Sequence, residues 1–453
     1  MTMQFDFLYD WQASPGGVRL DSHAATWADL TIGIDGRFFT ANEPASEEEP
    51  RRVRRTYVSV SVFPLAEFIA ANWWPLLYEP HEKSKVPNVD HVAFNQRHWI
   101  DQHTDGFAYP KVGFFGADSS VRIIAQSTKI PNADICFYEK TQSINRNWEG
   151  LRRDKVEAAL LEFIRAVADR LPANQDKVWL NDQWLRIDQS RKDGGEAKYC
   201  RLAGLLGEDP YEPGEELYDT IVRTVELLGE DMATEMCATS QVSDVVERSA
   251  WLHEQSEILI NRSKAAAQYS FGLKDELQGE PLGRQPWERG YSAARKVRQL
   301  LGVSSEQALD ERQSVSKLLF DLDEDAIDRV PGLEVVSGAR GALFTDASGL
   351  RLSLDPQRGR LGTKFQTAAT FSDFVFSTEA VISVATRSAT DRQKRNRAFA
   401  AELLAPVSGI REHWLVGQPL RKNVEHVAEQ FNVNKDMVHY QVVNQAPELL
   451  MKD

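Results

Sequence analysis

The sequence predicts an α+β protein built in three parts, and three observations carry that prediction. Short alternating strands occur in residues 1–145, apolar residues recur at helical spacing in 146–280, and strands alternate with helices in 286–453. The stretch 276–286 is rich in glycine and proline, which is typical of a linker. We therefore expect a β-rich α+β domain, a mainly helical region, and a C-terminal α+β domain that ends in a helix-turn-helix-like tail (about 420–446).

In the first part, a predicted strand precedes a helix rich in aromatic residues. Residues 56–62 alternate apolar and polar side chains, which indicates a half-buried strand. Pro64 opens the next helix, a favourable position for a residue without an N–H group. Trp73 and Trp74 continue the apolar face of this helix, and large aromatic residues at helical spacing usually belong to a core.

The middle part shows three amphipathic segments. Apolar residues recur every three or four positions in 156–171 and in 217–228, and Gly229 closes the second segment as a C-cap. A third segment covers about 243–269. This part of the chain is therefore predicted to be mostly helical.

The C-terminal part has an informative order of elements. A predicted helix over 286–302 is followed by an alternating strand at 350–354, a basic turn and an apolar helix over 365–376. The motif Phe-Ala-Ala-Glu-Leu-Leu-Ala-Pro occupies 399–406 and precedes a helix pair. This order, and above all the motif, resembles the ImmA/IrrE family of metallopeptidase-like proteins. The resemblance implies a zincin-like fold for 286–453.

The same resemblance assigns the positions where a zinc site would lie. In that family a His-Glu-x-x-His helix supplies two zinc ligands and the general base. Laid on this pattern, the vestigial catalytic positions are Ala369, Thr370 and Asp373, and the downstream acidic ligand falls near Gln393. None of these residues suits its role. The resemblance therefore implies a pseudoenzyme without a cofactor.

The tail is predicted to be two short helices joined by a turn. Asn432 and Val433 form the turn, and Asn434 caps the second helix. The residues that define the two helices are Val424, Val427, Ala428 and Phe431 on the first, and Met437, Val438, Gln441 and Val442 on the second. The candidate DNA-contact residues on the second helix are Lys435, His439 and Gln441, which are basic or amide side chains.

A group of histidines offers a second site. His81, His91, His98 and His103 lie within one stretch among three aspartates, and imidazole and carboxylate are ligands that zinc binds in proteins. Because their spacing matches no metal motif, polar residues with satisfied hydrogen bonds are the simpler interpretation. His91, His98 and His103 remain weak candidate metal ligands, and zinc is expected only if this alternative holds.

Composition narrows the functions further. The chain of 453 residues contains no apolar run of about 18 residues and no signal segment, so we expect a cytoplasmic protein with no membrane partner. Its three cysteines, Cys136, Cys200 and Cys237, suit free thiols in a reducing compartment. A formal net charge of −14 opposes nucleic-acid binding over most of the surface.

These observations favour a non-catalytic ImmA/IrrE-like regulatory or sensor protein. Proteins of that kind act in bacterial stress, mobile-element or phage-defence circuits, so a protein partner is expected. Two alternatives stay open. The first is a DNA-binding transcriptional regulator that uses the C-terminal tail, and the second is a metal-dependent hydrolase with an N-terminal site.

Overall fold

A computed structural model describes most of the chain. The described residues are 3–44, 54–85, 89–130, 135–137, 146–214, 216–260, 268–277, 285–311, 313–334, 338–345, 350–357, 359–377 and 382–451. Most of the predicted linker at 276–286 lies outside them. The structure is mixed α+β, with a β-rich N-terminal region and a largely helical remainder.

The chain divides into two compact units at positions that differ from the expected boundaries. Unit 1 comprises residues 1–222 and 237–243, and unit 2 comprises 223–236 and 244–453. The expected boundary near residue 145 lies inside unit 1. The reason is that the first long helix of the middle part packs on strands that precede it in the chain.

The described residues of unit 1 form ten strands and most of the helices of the first half of the chain. Its strands are β1 (Phe5–Trp11), β2 (Trp27–Ile34), β3 (Arg37–Phe38), β4 (Asn42–Pro44), β5 (Val58–Ser61), β6 (Lys111–Ala117), β7 (Ser120–Gln126), β8 (Thr128–Ile130), β9 (Ile135–Phe137) and β10 (Arg146–Arg152). Its helices are α1 (Asp21–Ala25), α2 (Phe63–Ala71), α3 (Trp73–Tyr78), α4 (His91–His98), α5 (Arg153–Arg170), α6 (Gln175–Ser190) and α7 (Gly194–Leu206), with short 3-10 turns at His81–Lys85 and Ile100–Gln102.

The strands described for unit 1 form three antiparallel sheets. One has the order β1-β2-β3 with β5 also paired to β2, the second has the order β10-β7-β6, and the third has the order β4-β9-β8. Helix α5 packs on β1, β7 and β10 through Phe163 and its apolar neighbours, all of which are buried. Trp73 and Trp74 are 1% exposed, so the aromatic pair belongs to the core.

Three helices near the division carry residues of both units, and the remaining elements belong to unit 2. The three are α8 (Leu217–Leu228), α9 (Glu230–Thr239) and α10 (Val242–Ile260). The unit 2 helices are α11 (Gln268–Leu277), α12 (Pro286–Leu300), α13 (Val315–Phe320), α14 (Arg360–Phe376), α15 (Asp391–Leu404), α16 (Val407–Glu412), α17 (Leu420–Phe431) and α18 (Lys435–Gln445), with 3-10 turns at Glu324–Ala326 and Pro447–Met451. Its strands are β11 (Asp328–Arg329), β12 (Ala339–Thr345), β13 (Leu350–Leu354) and β14 (Ile382–Thr386).

A four-stranded sheet and two packed helices form the centre of unit 2. The strand order is β11-β13-β12-β14, with β11 parallel to β13 and the other pairs antiparallel. Helix α14 packs on β12 and β14, and α15 packs against α12 and α14. Phe371 and Phe399 join the two helices in one core, with ring centroids 6.0 Å apart.

The described helices include none with the length and apolar composition needed to cross a bilayer. The three cysteines are buried and carry free thiols, as the sequence predicted.

Candidate functional site

The positions singled out by the sequence lie on α14, at the centre of unit 2. The helix begins at Arg360, about one turn before the predicted start, with Gly359 as its N-cap. From residue 366 to residue 375 every side chain is buried, which is typical of a core helix rather than a surface one. Ala369, Thr370 and Asp373 are exposed by at most 2%.

Asp373 is held by four hydrogen bonds. Arg392 of α15 donates from Nε to Oδ1 at 2.5 Å and from Nη2 to Oδ2 at 2.7 Å, which is a bidentate pair. Asn396 donates to Oδ1 at 2.8 Å, and the backbone N–H of Val384 donates to Oδ2 at 2.8 Å. A second guanidinium, that of Arg395, lies 3.6 Å from Oδ1. The carboxylate therefore joins α14, α15 and β14.

The charged neighbours of Asp373 determine the protonation state of its carboxyl group. Burial would raise the pKa of Asp373, but the charge and hydrogen bonds of Arg392, with Arg395 and Asn396, outweigh it and lower that pKa. Burial lowers the pKa of Arg395 to about 10, although Asp373 opposes the shift. Asp373 is consequently a charged structural anchor and has little capacity to act as a general base.

Gln393, at the expected position of the third ligand, also has a structural role. It is 1% exposed. Its side-chain oxygen accepts from the backbone N–H of Thr386 at 2.9 Å, and its amide nitrogen donates to the carbonyl of Val384 at 3.0 Å. Together with Asp373, it satisfies backbone groups on the side of β14 that faces away from β12. The outer edge of this strand is thereby capped by side chains.

A second buried carboxylate extends the network. Glu235 accepts hydrogen bonds from the hydroxyls of Ser388 at 2.8 Å and Thr390 at 2.6 Å, and more weakly from Thr386 at 3.3 Å. Burial raises the pKa of Glu235, while Arg392 and the hydroxyls partly offset that effect. The segment after β14 is thus fixed by a carboxylate that burial drives toward its neutral form.

Thr370, at the expected position of the general base, carries only a hydroxyl group. The Thr370 hydroxyl is buried and has no hydrogen-bond partner among the residues that the structure describes, and a Cβ added at Gly341 would lie 2.5 Å from its oxygen. The sheet and the helix therefore lie in close contact at this point. Within the described ranges, no three histidine, cysteine, aspartate or glutamate side chains are arranged to hold a metal.

The three candidate metal ligands of unit 1 have separate surroundings. His91 is exposed at the first position of α4. The ring of His103 stacks on Phe68 with centroids 5.2 Å apart, and its Nε2 contacts the carbonyl of Gln96 at 3.1 Å. The three candidate ligands are thus used separately, and only His98 is buried.

His98 belongs instead to a buried ionic group at the end of α3. Its Nε2 lies 3.0 Å from Oε2 of Glu79 and its Nδ1 lies 2.6 Å from the carbonyl of Phe114, so both ring nitrogens are engaged. Arg97 binds Glu79 in a bidentate pair at 2.5 and 2.7 Å. Lys83 lies 3.7 Å from the same carboxylate.

Burial and neighbouring charges act in opposite directions on the pKa values of Glu79 and Lys83. Burial would raise the pKa of Glu79, but Arg97, Lys83 and His98 lower it to about 2. Burial lowers the pKa of Lys83 to about 8 even though Glu79 opposes the shift. Because each charged group has an oppositely charged or carbonyl partner, the group is a satisfied buried network rather than an open site.

The tail is tied to unit 2 by the glutamate of the Phe-Ala-Ala-Glu motif. Glu402 is fully buried and accepts from Arg295 of α12 at 2.7 Å. On the other side it accepts from Gln441 at 3.0 Å and from Gln445 at 2.8 Å, both on α18. The backbone N–H of Val407 also donates to it, at 3.2 Å. Glu402 thus links four helices.

This arrangement corrects one candidate DNA contact. Gln441 is 2% exposed and donates to Glu402 and to the carbonyl of Ala405, so its amide does not reach the surface. Lys435 is exposed but pairs with Glu425 at 2.8 Å, and His439 is exposed. The two tail helices and their caps lie where the sequence predicted them, with Asn432 in the left-handed conformation and Asn434 as N-cap.

Several residues of these networks were missed in the sequence, although one had a signal. Arg392, Arg395 and Asn396 are spaced by three and four positions, which places them on one face of a helix that the motif predicts to be packed. Charged residues on a packed helical face indicate a buried partner. Glu79 has no comparable signal because its partners come from separate elements.

In comparisons with known proteins, no family model matches this chain, and no curated protein sequence matches it.

Proposed function

We propose that this chain is a non-catalytic ImmA/IrrE-like regulatory or sensor protein, which binds a protein partner in a bacterial stress, mobile-element or phage-defence circuit. The observation that carries the proposal is the state of the expected zinc positions. Asp373 is bound by Arg392, Asn396 and β14, and Gln393 is bound to the same strand. The side chains that would hold a metal instead hold the fold together.

The chemistry of a zinc peptidase needs more than this arrangement supplies. A catalytic zinc site uses three protein ligands and an open position for water. Ala369 has no donor atom, and the Thr370 hydroxyl is packed against Gly341. With no metal to lower the pKa of water toward neutrality, a hydrolytic nucleophile would be lacking at α14.

The proposed role is therefore recognition without cleavage. In unit 2, Asp373 links the core elements and Glu402 links the tail to the core. We expect these links to hold the surface of unit 2 in one conformation. A pre-organised surface binds with less loss of conformational entropy than a mobile one. A regulator that acts by binding would benefit from this rigidity in the absence of any reaction.

The first experiment measures bound metal. The full chain, purified without chelators, is expected to contain far less than one zinc per chain. About one zinc per chain, the content of a single catalytic site, would contradict the proposal if Asp373→Asn removes it. His103→Gln is the matched variant for the alternative site, because a metal lost only in that variant would lie among the histidines of unit 1.

The second experiment tests recognition without cleavage. A partner cross-linked to the chain in its host is identified, produced separately and mixed with the purified chain. We expect saturable binding, with the intact mass of the partner unchanged after prolonged incubation. A partner shortened at a fixed bond, with cleavage lost in Asp373→Asn, would show a peptidase and refute the proposal.

A further inference from the structure

The first strand of unit 1 lies at the edge of its sheet. Among the described strands, β1 pairs with β2 alone, and the antiparallel ladder between them includes all seven residues of β1. An edge strand presents one row of N–H and C=O groups to its neighbour and an opposite row to its surroundings. What the outer row of β1 meets therefore decides whether this edge is closed or open to a further strand.

Hydrogen bonds at the two ends of the ladder identify the outer row. The N–H of Asp35 donates to the carbonyl of Gln4 at 3.0 Å, and the N–H of Gln12 donates to the carbonyl of Trp27 at 2.9 Å. Because the direction of these groups alternates along a strand, the even-numbered residues of β1 face β2 and the odd-numbered residues face outward. The outer row consists of the backbone groups of Phe5, Phe7, Tyr9 and Trp11. No hydrogen bond joins these groups to another residue that the structure describes.

Two other edge strands of the chain have covered edges. In β6, the N–H of Gly116 donates to the carbonyl of Glu79 at 2.8 Å, and Trp99 forms a further bridge to this strand. In β14, the side chains of Asp373 and Gln393 bind the backbone on the side away from β12. The outer edge of β1 differs from both, because its row of donors and acceptors is open.

An aromatic row lies along the inner face of β1. The side chains of its odd-numbered residues share this face, since side chains alternate along a strand. The rings of Phe7 and Tyr9 pack against Phe163 of α5, with centroids 4.9 and 5.3 Å apart. Phe7 is buried, whereas Phe5, Tyr9 and Trp11 are half-buried. A strand added to this edge would cover the aromatic surface that they still expose.

The opposite face of β1 is acidic. Leu8, which is 59% exposed, lies between Asp6 and Asp10 on this face, and Asp29 of β2 is paired with Asp10. A backbone N–H donates to Asp6 at 2.9 Å, and the side-chain amide of Gln12 donates to Asp29 at 3.1 Å. These donors are neutral, so they leave the negative charges in place. The edge therefore carries two carboxylates that flank one aliphatic side chain.

Helix α5 adds one charge of each sign beside the strand. Burial and the charge of Glu162 raise the pKa of the Tyr9 hydroxyl, so a further carboxylate lies on the aromatic side. The guanidinium of Arg170 lies 4.5 Å from the centroid of the Trp11 ring and donates to the carbonyl of Ala25 at 3.0 Å. This cation lies at the end of the strand, whereas carboxylates border its start and centre.

These charges select against a second copy of the chain as the added strand. If two copies of β1 paired antiparallel over all seven residues, Asp6 of each copy would lie opposite Asp10 of the other. Like charges directly opposite one another destabilise a strand pair, whereas opposite charges stabilise it. The complementary strand is therefore one with basic side chains at these two positions.

We infer that the outer edge of β1 binds an extended segment of a partner protein as an added antiparallel strand. The segment has basic side chains opposite Asp6 and Asp10 and apolar side chains beside the aromatic row. In this mode of recognition, main-chain hydrogen bonds supply affinity and alternate side chains supply specificity. The antiparallel arrangement is the more stable one per residue. The inference does not rest on the proposed regulatory function, because it uses no residue of the expected zinc positions.

The test uses the full chain and a synthetic peptide, Thr-Lys-Val-Leu-Val-Lys-Thr, with both termini blocked. In the inferred arrangement its valines lie opposite Phe7 and Tyr9, and its lysines lie opposite Asp6 and Asp10. Titration calorimetry should show saturable binding of one peptide per chain with a Kd below about 1 mM. A combined Asp6→Lys and Asp10→Lys variant should bind it about tenfold more weakly or worse. Asp219→Lys, at an exposed carboxylate of α8, is the matched control and should bind as the unaltered chain does.

Two altered peptides make the test specific. A peptide with glutamate in place of both lysines should bind the double lysine variant in preference to the unaltered chain. N-methylation of the two valines should abolish binding, because their N–H groups face β1 in an antiparallel pair, whereas N-methylation of the two lysines, whose N–H groups face away, should leave it intact.

Thermal unfolding checks that each variant is folded. The inference is overturned by a peptide that does not bind, by binding that survives methylation of the valines, or by binding that the double lysine variant does not weaken. A dimer of the chain that the peptide dissociates, seen by sedimentation velocity, would show that a second copy occupies the edge and would equally overturn it.

Discussion

The Asp373 network makes a quantitative prediction about stability. In Asp373→Ala, the guanidinium of Arg392 loses a bidentate partner, and Arg395 loses the carboxylate 3.6 Å away. Both arginines remain mostly buried, because their side chains are only 13% and 16% exposed. The N–H of Val384 also loses its acceptor.

The expected magnitude follows from these losses. Removal of one partner from a buried ion pair costs about 3–5 kcal/mol, because the other charge stays buried without compensation. Asp373→Asn keeps the shape and one acceptor oxygen, so its cost should be smaller, about 1–3 kcal/mol. The predicted order of stability is therefore wild type, then the asparagine variant, then the alanine variant.

Calorimetry of the full chain at neutral pH measures these differences in the transition of unit 2. Asp325→Ala, at an exposed carboxylate of the same unit, should change the free energy of unfolding by less than about 0.5 kcal/mol. The pH dependence gives a second readout. Since the folded pKa of Asp373 lies below its usual 3.8, the difference between wild type and Asp373→Asn should be full above that pH and shrink below it. A cost for Asp373→Ala no larger than that of the control would refute the reasoning.

Two further predictions concern the tail and unit 1. Phe431 is 1% exposed in the core of unit 2. Phe431→Ala should therefore lower the free energy of unfolding, measured by denaturant titration, by about 3–5 kcal/mol. A change as small as that of an exposed residue would show that the tail does not pack on the core of unit 2. Glu79 has a folded pKa of about 2 against an ordinary 4.5, so unit 1 should lose about 3 kcal/mol as pH falls through that interval. The Glu79→Gln variant, followed by circular dichroism, should lack this acid-dependent loss, and an unchanged pH profile would show that another group is responsible.

The order of elements in unit 2 could be predicted because its signals are local. The capping residue Asn434 and the periodic apolar residues of α17 define the tail within about 25 positions, and the structure places both helices there. The division into units was harder to predict. It depends on which helices pack on which strands, and α5 packs on β1, more than 140 positions earlier in the chain.

The chemical surroundings of the residues at the expected zinc positions could not be predicted from the sequence. The family resemblance drew attention to Asp373, but the contacts of its carboxylate involve Arg392 and a backbone N–H of β14, which no sequence pattern reveals. The surroundings of Gln441 could not be predicted from the sequence either. Its polar side chain suggested a surface position, whereas burial of Glu402 created a need for an amide donor inside the core.

The side-chain cap on β14 has a consequence for how this chain can change over evolutionary time. Asp373 and Gln393 each satisfy the strand and its neighbours, so a substitution of either one toward a metal ligand first leaves a buried group without a partner. Zinc would compensate only after at least three ligands were in place. A single substitution of Asp373 or Gln393 is therefore expected to lower stability without creating a metal site. We therefore expect selection for a folded protein to retain Asp373 and Gln393 even where no metal is bound.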